Sequence, residues 1–213
     1  YSLIANEMKN NDILLTAHHM DDQIETFFLQ TFRGAGPRGL ASMPVIKKIS
    51  NGYHARPFLN IQRSELEKYA SINKILWQDD DTNSDIRYER NYLRHNVLVY
   101  LEKAWPSYRK SISRVVSHQK ESMSLLSEIA LEDMREVLCK NFINLDVKIL
   151  KGLSLPRQKN LIFYWLDSLN LEKPGSKHMH QIIKSLINNS TDKSPCVNWK
   201  NTEVRKYRDQ LYA

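Results

Sequence analysis

The chain has 213 residues, enough for one large or two small domains, and 41% of them are hydrophobic, enough for ordinary cores. No apolar run approaches the roughly 18 to 20 residues needed to span a bilayer, and the start has no basic region followed by an apolar signal core. The expectation is a globular, cytoplasmic protein with no membrane partner. The net charge is +7, with 13 basic and 13 acidic side chains over residues 1–105 and 18 against 11 over 106–213, so the whole excess lies in the second half. A polyanionic partner and a solvated basic surface both account for that balance.

Only Cys139 and Cys196 are present, with no C-x-x-C, so neither a disulfide framework nor a thiolate zinc site is suggested, and the pair reads as two buried thiols. Residues 1–10 have the spacing of a helix tail. The apolar run Ile13 to Leu15 is long enough for a buried strand, and the polar cluster His18-His19-Met20-Asp21-Asp22 then opens an amphipathic helix through Phe32. Ile24, Phe27, Phe28 and Phe32 share one face of it, leaving Asp22, Glu25 and Thr26 on or near another. Ligands of open α/β sheets settle beyond the carboxyl ends of strands, so this second face is the candidate reactive one. Helix capping by the two aspartates is the plain alternative. A metal site is a weaker one, because no later Cys or His has zinc spacing relative to the cluster.

After Arg33, the glycines Gly34, Gly36 and Gly39 with Pro37 form either a loop offering backbone N–H groups to a phosphate or a helix stop followed by a turn. Residues 45–58 read as a short hairpin, Arg63 to Ile72 as a helix with Leu66, Tyr69 and Ala70 inward, and Ile75 to Trp77 as a strand. Strand, helix and strand together suggest a parallel sheet. The acids Asp79, Asp80 and Asp81 after it could hold magnesium, fix a neighbouring arginine or cap a helix. Arg87, Arg90 and Arg94 would lie on one face of a helix beginning near Tyr88, as phosphate forks or as partners of nearby acids.

No Pro or Gly occurs between Pro106 and Gly152, and Ile112, Val116, Met123, Leu126, Ala130, Met134 and Val137 recur at helical spacing. This predicts a long connecting helix over 107–140. Two or three helices follow over 146–190, one with Leu161, Ile162, Trp165 and Leu166 as its core side. Strands at Cys196–Trp199 and over 202–212 close the chain, the last carrying Arg205, Lys206 and Arg208.

The run from Thr16 to Thr26 followed by Arg33-Gly34-x-Gly36-x-x-Gly39-Leu40 resembles a signature of the tRNA(Ile)-lysidine synthase family, in the PP-loop ATP pyrophosphatase superfamily. Arg56-Pro57-Phe58-Leu59, Asp80-Asp81-Thr82-Asn83, Arg90-Asn91-x-x-Arg94, Ser194-Pro195-Cys196-Val197 and Glu203-Val204-Arg205-Lys206-Tyr207 resemble further family segments in the same order. The family's ATP-binding loop, Ser-Gly-Gly-x-Asp-Ser, does not occur among the 213 residues, so the chain reads as an interior portion of such a protein. Val99 stands where the family usually has proline.

The resemblance implies an α/β fold: part of a parallel-sheet PP-loop domain over 1–105, a helical connector over 106–140, and a small, mainly helical domain over 141–213 that ends in a β-hairpin and binds tRNA. It implies ATP-dependent joining of L-lysine to carbon 2 of the wobble cytidine of tRNA(Ile) with anticodon CAU, through an adenylated cytidine, with ATP and magnesium required. Asp22 would orient or deprotonate the lysine amine, Glu25 would hold the amino acid's cationic group, and His18 would contact the nucleotide or the adenylated cytidine. Arg33, Gly34, Arg90, Asn91 and Arg94 would meet phosphate or tRNA, with Arg205, Lys206 and Arg208 gripping the tRNA backbone. Magnesium near Asp80 and Asp81 and a homodimer are further expectations. A sister PP-loop enzyme such as a tRNA thiolase, or an RNA-binding scaffold without catalysis, are the alternative readings.

Overall fold

The apolar triplet Ile13–Leu15 forms strand β1 in a computed structural model of the chain, which describes residues 4, 7–49, 51–78, 82, 85–138, 143–188 and 195–213. Two compact units emerge, Tyr1–Met123 and Ser124–Ala213. In the first, β1 runs parallel to β3 (Gly52–Ala55), and β3 runs antiparallel to β2 (Ile46–Ile49), in the order β1-β3-β2. The hairpin over 45–58 is thus present, but the sheet is mixed where a parallel one was expected. Leu14 pairs with His54, so the period-two alternation sets Leu14, Thr16 and His54 on one face. Gly52 is required by close packing, since a Cβ there would lie 2.3 Å from the Asp12 carbonyl oxygen.

β1 is less buried than its apolar sequence suggests: Ile13 is 61% and Leu15 65% exposed, and among the described residues the strand has a ladder partner on one side only. Ile75 to Trp77 is not a strand. Leu76 is 97% exposed, and the Ile75 N–H instead closes the preceding helix on the Ala70 carbonyl. That helix, α3, spans Arg63–Ile72 as expected, with Leu66 and Ala70 partly buried but Tyr69 turned to solvent.

Helix α1 (Met20–Phe32) buries Ile24 and Phe27. Ile24 packs in a cluster with Leu93, Leu98 and Tyr108, ringed by Met20, Phe28 and Leu29. The cluster covers the first three turns of the helix, and Phe32 beyond it is exposed. At Gly34 the backbone takes φ +68°, the left-handed stop that favours glycine. Pro37 then opens the one-turn helix α2 (Pro37–Leu40). The N–H groups of Gly34, Ala35, Gly39 and Leu40 all donate to nearby backbone carbonyls, so this stretch is a helix stop and a turn, with those donors unavailable to a phosphate.

Helix α4 (Glu89–Tyr92) passes into a π-helical turn, Leu93–Val97, and then into α5 (Leu98–Ala104). Helix α6, Tyr108–Val137, is unbroken over 30 residues, about 45 Å, and the division between the units falls within it.

In the second unit, α7 (Val147–Gly152), α8 (Leu155–Ser168), α9 (Ser176–Gln181) and a π-helical run, Ile182–Asn188, surround a core with Leu161, Ile162, Trp165 and Leu166 at its centre. The expected closing hairpin is part of a four-stranded antiparallel sheet, β4 (Leu145–Asp146), β5 (Cys196–Trp199), β6 (Thr202–Tyr207) and β7 (Gln210–Tyr212), ordered β4-β7-β6-β5. A turn at Arg208, φ +52°, splits the strand expected over 202–212, and two residues are too few for β4 to leave an alternating pattern. Cys196 is exposed and not the buried thiol expected, because β5 alternates outward at that position. Cys139, like Asp79, Asp80, Asp81 and half of residues 1–10, lies outside the described residues.

Candidate active site

The start of α1 follows β1 after a four-residue turn, which sets Asp21, Asp22 and Glu25 on its first two turns. Asp22 Oδ2 accepts the His19 backbone N–H at 3.0 Å, capping the helix. Glu25, one turn on, is completely buried. A carboxylate without solvent needs a cationic partner, and two supply it: Arg94 Nε and Nη2 donate to its two oxygens at 2.6 and 3.1 Å, and Arg90 Nε lies 3.3 Å from Oε2. Arg94 Nη2 also stands 3.7 Å from Asp22 Oδ1, and Arg90 Nη2 donates to Thr26 Oγ1 at 3.0 Å. The spacing of three and four on α1 is thereby matched by four on the facing Arg90 and Arg94. Burial, outweighing the hydrogen bond and charge of Arg94, holds the Glu25 carboxyl above the ordinary range.

Asp21 has a different neighbourhood. Its Oδ2 accepts the Arg63 backbone N–H at 2.9 Å at the start of α3, and its Oδ1 accepts from Arg109 Nε at 2.8 Å. Burial pushes this carboxyl up, but the Arg109 guanidinium, the Arg63 N–H and His19 together outweigh it and hold it below the usual value. Asp21, Glu25, Glu67, Arg63, Arg94 and Arg109 line part of a cavity of about 390 Å³. Its walls carry both signs of charge, a chemistry suited to a zwitterion or a cationic ligand with a carboxylate.

At the end of β1, Thr16 Oγ1 lies 2.7 Å from His18 Nδ1 and 2.8 Å from His54 Nε2. Arg56 Nη2 reaches His54 Nδ1 at 3.0 Å. Burial first, then the charge of Arg56, lowers the basicity of both imidazoles, while Asp22 partly offsets this at His18.

The family model described as "PP-loop domain" matches residues 1–101, and one described as "TilS substrate binding domain" matches residues 145–212. Proteins named tRNA(Ile)-lysidine synthase from Legionella pneumophila (strain Paris), Coxiella burnetii and Photobacterium profundum are 38%, 37% and 35% identical to the whole chain. Along its whole length the chain is thus similar to proteins of that name, with the match to the PP-loop domain followed by the match to the substrate binding domain. It spans about half the length of the curated relatives it matches: 49%, 47% and 48% of the same three.

Within this chain, the residues singled out from sequence divide into those the fold gathers and those it does not. Asp22, Glu25, Arg90 and Arg94 converge, and His18 stands near Asp22. Arg33 forms a surface pair with Glu89 at 2.6 Å. Arg87 is turned aside onto Asp85, so the expected row of three guanidiniums is a pair. The Asn91 amide is buried and donates to the carbonyls of Thr82 and Asp85, where it ties down a loop. On β6 of the second unit, Arg205 is exposed while Lys206, one residue on, is buried with Val204. Adjacent strand residues face opposite ways, which separates two of the three cations expected to act together. Arg208 lies over the Tyr207 ring at 5.3 Å.

Several participants left no mark as motifs. Arg109 sits in what reads as a connector, and His54 lies on a strand whose pairing with β1 cannot be read from one sequence, although Arg56 just after it stood in the Arg56-Pro57-Phe58-Leu59 segment. Thr16 stood in the signature, and the strand period was the available signal for its direction. Among the described residues, no group of three or more His, Cys, Asp or Glu is placed to hold a metal. The carboxylates near His18 are matched by guanidiniums, so these residues do not fit a resident cation, and Asp80 and Asp81 lie outside the described residues.

No described helix is long and apolar enough to cross a membrane.

Proposed function

We propose that this chain supplies the lysine-handling and tRNA-gripping parts of a lysidine-forming enzyme, which uses ATP to adenylate the wobble cytidine of tRNA(Ile) with anticodon CAU and then joins L-lysine to carbon 2 of that base. The observation that carries the reading is the pairing of a solvent-free Glu25 with Arg94 and Arg90 beside Asp22, next to a cavity lined by both signs of charge.

The chemistry asks for an amine that is neutral when it attacks. Asp22 Oδ2 is occupied by the helix cap, whereas Oδ1 stands beyond hydrogen-bond distance of Arg94 and is the oxygen that can accept the amine's proton. Carbon 2 gains the bond to lysine nitrogen, and the bond to the AMP oxygen breaks with its electron pair. Glu25 holds Arg90 and Arg94 in place; for it to take the amino acid's cationic group instead, one guanidinium has to swing to the incoming phosphate or carboxylate. Such an exchange leaves no buried charge unpaired at either stage. ATP and magnesium enter this proposal as substrate components, and no step is assigned to the metal. Arg205 and Arg208 would meet tRNA phosphates.

The test is ATP-dependent incorporation of labelled lysine into a CAU-anticodon isoleucine tRNA transcript by wild type and Asp22→Ala, each in a chain that also carries the family's ATP-binding loop. Incorporation that disappears in the variant is expected. Undiminished incorporation in the variant, or none by the wild type together with no preference for this tRNA over another, would sink the reading.

A further inference from the structure

We infer that His54, acting through the Thr16 hydroxyl, fixes His18 as the neutral tautomer that carries its proton on Nε2, which makes His54 a positioning residue for the site. The protonation state follows from geometry alone, and its link to turnover rests on the function proposed above.

The relay is anchored at the one group whose role is not negotiable. A guanidinium has donors and no acceptor, so the 3.0 Å contact between Arg56 Nη2 and His54 Nδ1 makes that ring nitrogen an acceptor. His54 is therefore neutral with its proton on Nε2. That proton points at Thr16 Oγ1, 2.8 Å away, and the hydroxyl oxygen accepts it. Thr16 has one proton of its own, and the remaining partner in reach is His18 Nδ1 at 2.7 Å. His18 Nδ1 accepts, and the His18 proton must be on Nε2. The alternative, with both rings donating to Thr16, leaves the hydroxyl proton without one of these partners.

The surrounding charges agree with two neutral rings. His18 faces Asp22, Arg56, Arg90 and His19, and His54 faces Arg56, His18 and Lys47. Burial and these cations lower the basicity of both rings, with Asp22 alone opposing at His18. Protonating His18 would turn Nδ1 into a donor and force the Thr16 hydroxyl to rotate away.

The consequence is a division of labour. With Nδ1 accepting from Thr16 and Nε2 protonated, His18 has no lone pair to offer a substrate proton. It offers a donor, suited to a phosphate or base oxygen, and proton removal falls to Asp22.

The experiment is imidazole ¹⁵N correlation spectroscopy on histidine-labelled chain, above the pH at which His18 protonates, with lysidine formation measured for the same variants in a chain that also carries the family's ATP-binding loop. Wild type is expected to show His18 as the Nε2–H form. In His54→Gln, the side-chain oxygen can accept from Arg56 and its amide can donate to Thr16, so the form is retained. In His54→Phe and in Thr16→Val the preference is lost, and turnover falls by roughly tenfold or more, in keeping with the cost of a wrong tautomer or a lost supporting bond. Thr16→Val keeps shape and volume, which covers the case in which His54→Phe fails to fold. An Nδ1–H form of His18 in wild type, or an Nε2–H form untouched in Thr16→Val, overturns the inference. An intact Nε2–H signature in a wild type that forms no lysidine would instead count against the proposed function and leave the relay standing.

Discussion

Arg109 Nε donates to Asp21 Oδ1 at 2.8 Å, while Nη1 and Nη2 of the same guanidinium reach Glu102 at 2.6 and 3.3 Å. One side chain from the first turn of α6 thus holds the start of α1 and the end of α5, and Asp21 passes the connection on to α3 through the Arg63 N–H. Four helices meet on two carboxylates and one fork, a geometry that lysine could not reproduce.

Replacing Arg109 by Met should keep much of its packing while leaving Asp21 half-buried with only its backbone donor. Charge-assisted hydrogen bonds are worth about 1.5 to 3 kcal/mol each, and partial exposure trims that figure. A loss of about 2 kcal/mol in urea unfolding is expected for Arg109→Met. A change below about 0.5 kcal/mol would mean that the fork does not bind these helices together.

The lowered pKa of Asp21 carries a sign. A carboxyl whose folded-state pKa is depressed contributes stability above its unfolded value, near 3.8, and loses it as pH falls toward the folded value. Melting temperature measured downward from pH 5 should therefore drop less steeply in Asp21→Asn than in wild type. Parallel curves would show that Asp21 is not held below its ordinary range.

Arg94 and Glu25 should prove strongly coupled. Removing one partner of a buried pair strands the other and costs about 3 to 5 kcal/mol; with Arg90 still 3.3 Å from Glu25, Arg94→Met should fall toward the lower end. The double variant Arg94→Met with Glu25→Gln should recover part of the loss, an interaction of at least about 1 kcal/mol in a double-mutant cycle. Additive losses would indicate that the pair does not form.

The opposed faces of β6 separate two kinds of cation. If Arg205 and Arg208 meet tRNA phosphates, Arg205→Ala and Arg208→Ala should each flatten the salt dependence of tRNA binding by roughly 0.7 to 0.9 of a slope unit. Lys206→Ala should leave that slope alone and cost about 1 kcal/mol of folding stability through its buried stem. An equal slope change in all three would contradict the outward and inward placement seen in the strand.

The legibility of this chain follows the range of the interactions. Helix α1 and helix α3 are readable because capping residues and apolar spacing are local, and the convergence of Asp22 and Glu25 follows from helical period. Ile75–Trp77 misleads because an apolar triplet is a strand only where another edge meets it. The roles of Arg109 and His54 are out of reach, since each acts on a residue far away in sequence (Asp21 lies 88 positions from Arg109). Lys206 groups wrongly with its neighbours when charge alone is read, because the two-residue alternation of β6 governs where it points.

The π-helical turn at Leu93–Val97 sits between Arg90, which faces Glu25, and Leu98, which faces the core. Such a turn is an α-helix that has accommodated one additional residue, and each residue turns a helix by about 100°. Removing a single residue there would leave the composition of the chain almost unchanged yet swing everything downstream through more than a quarter-circle, carrying Leu98 away from Ile24. Chain length in this turn is thus as restricted as residue identity in the signature: alignments of related chains should tolerate substitutions at 95 and 96 far more readily than a gap.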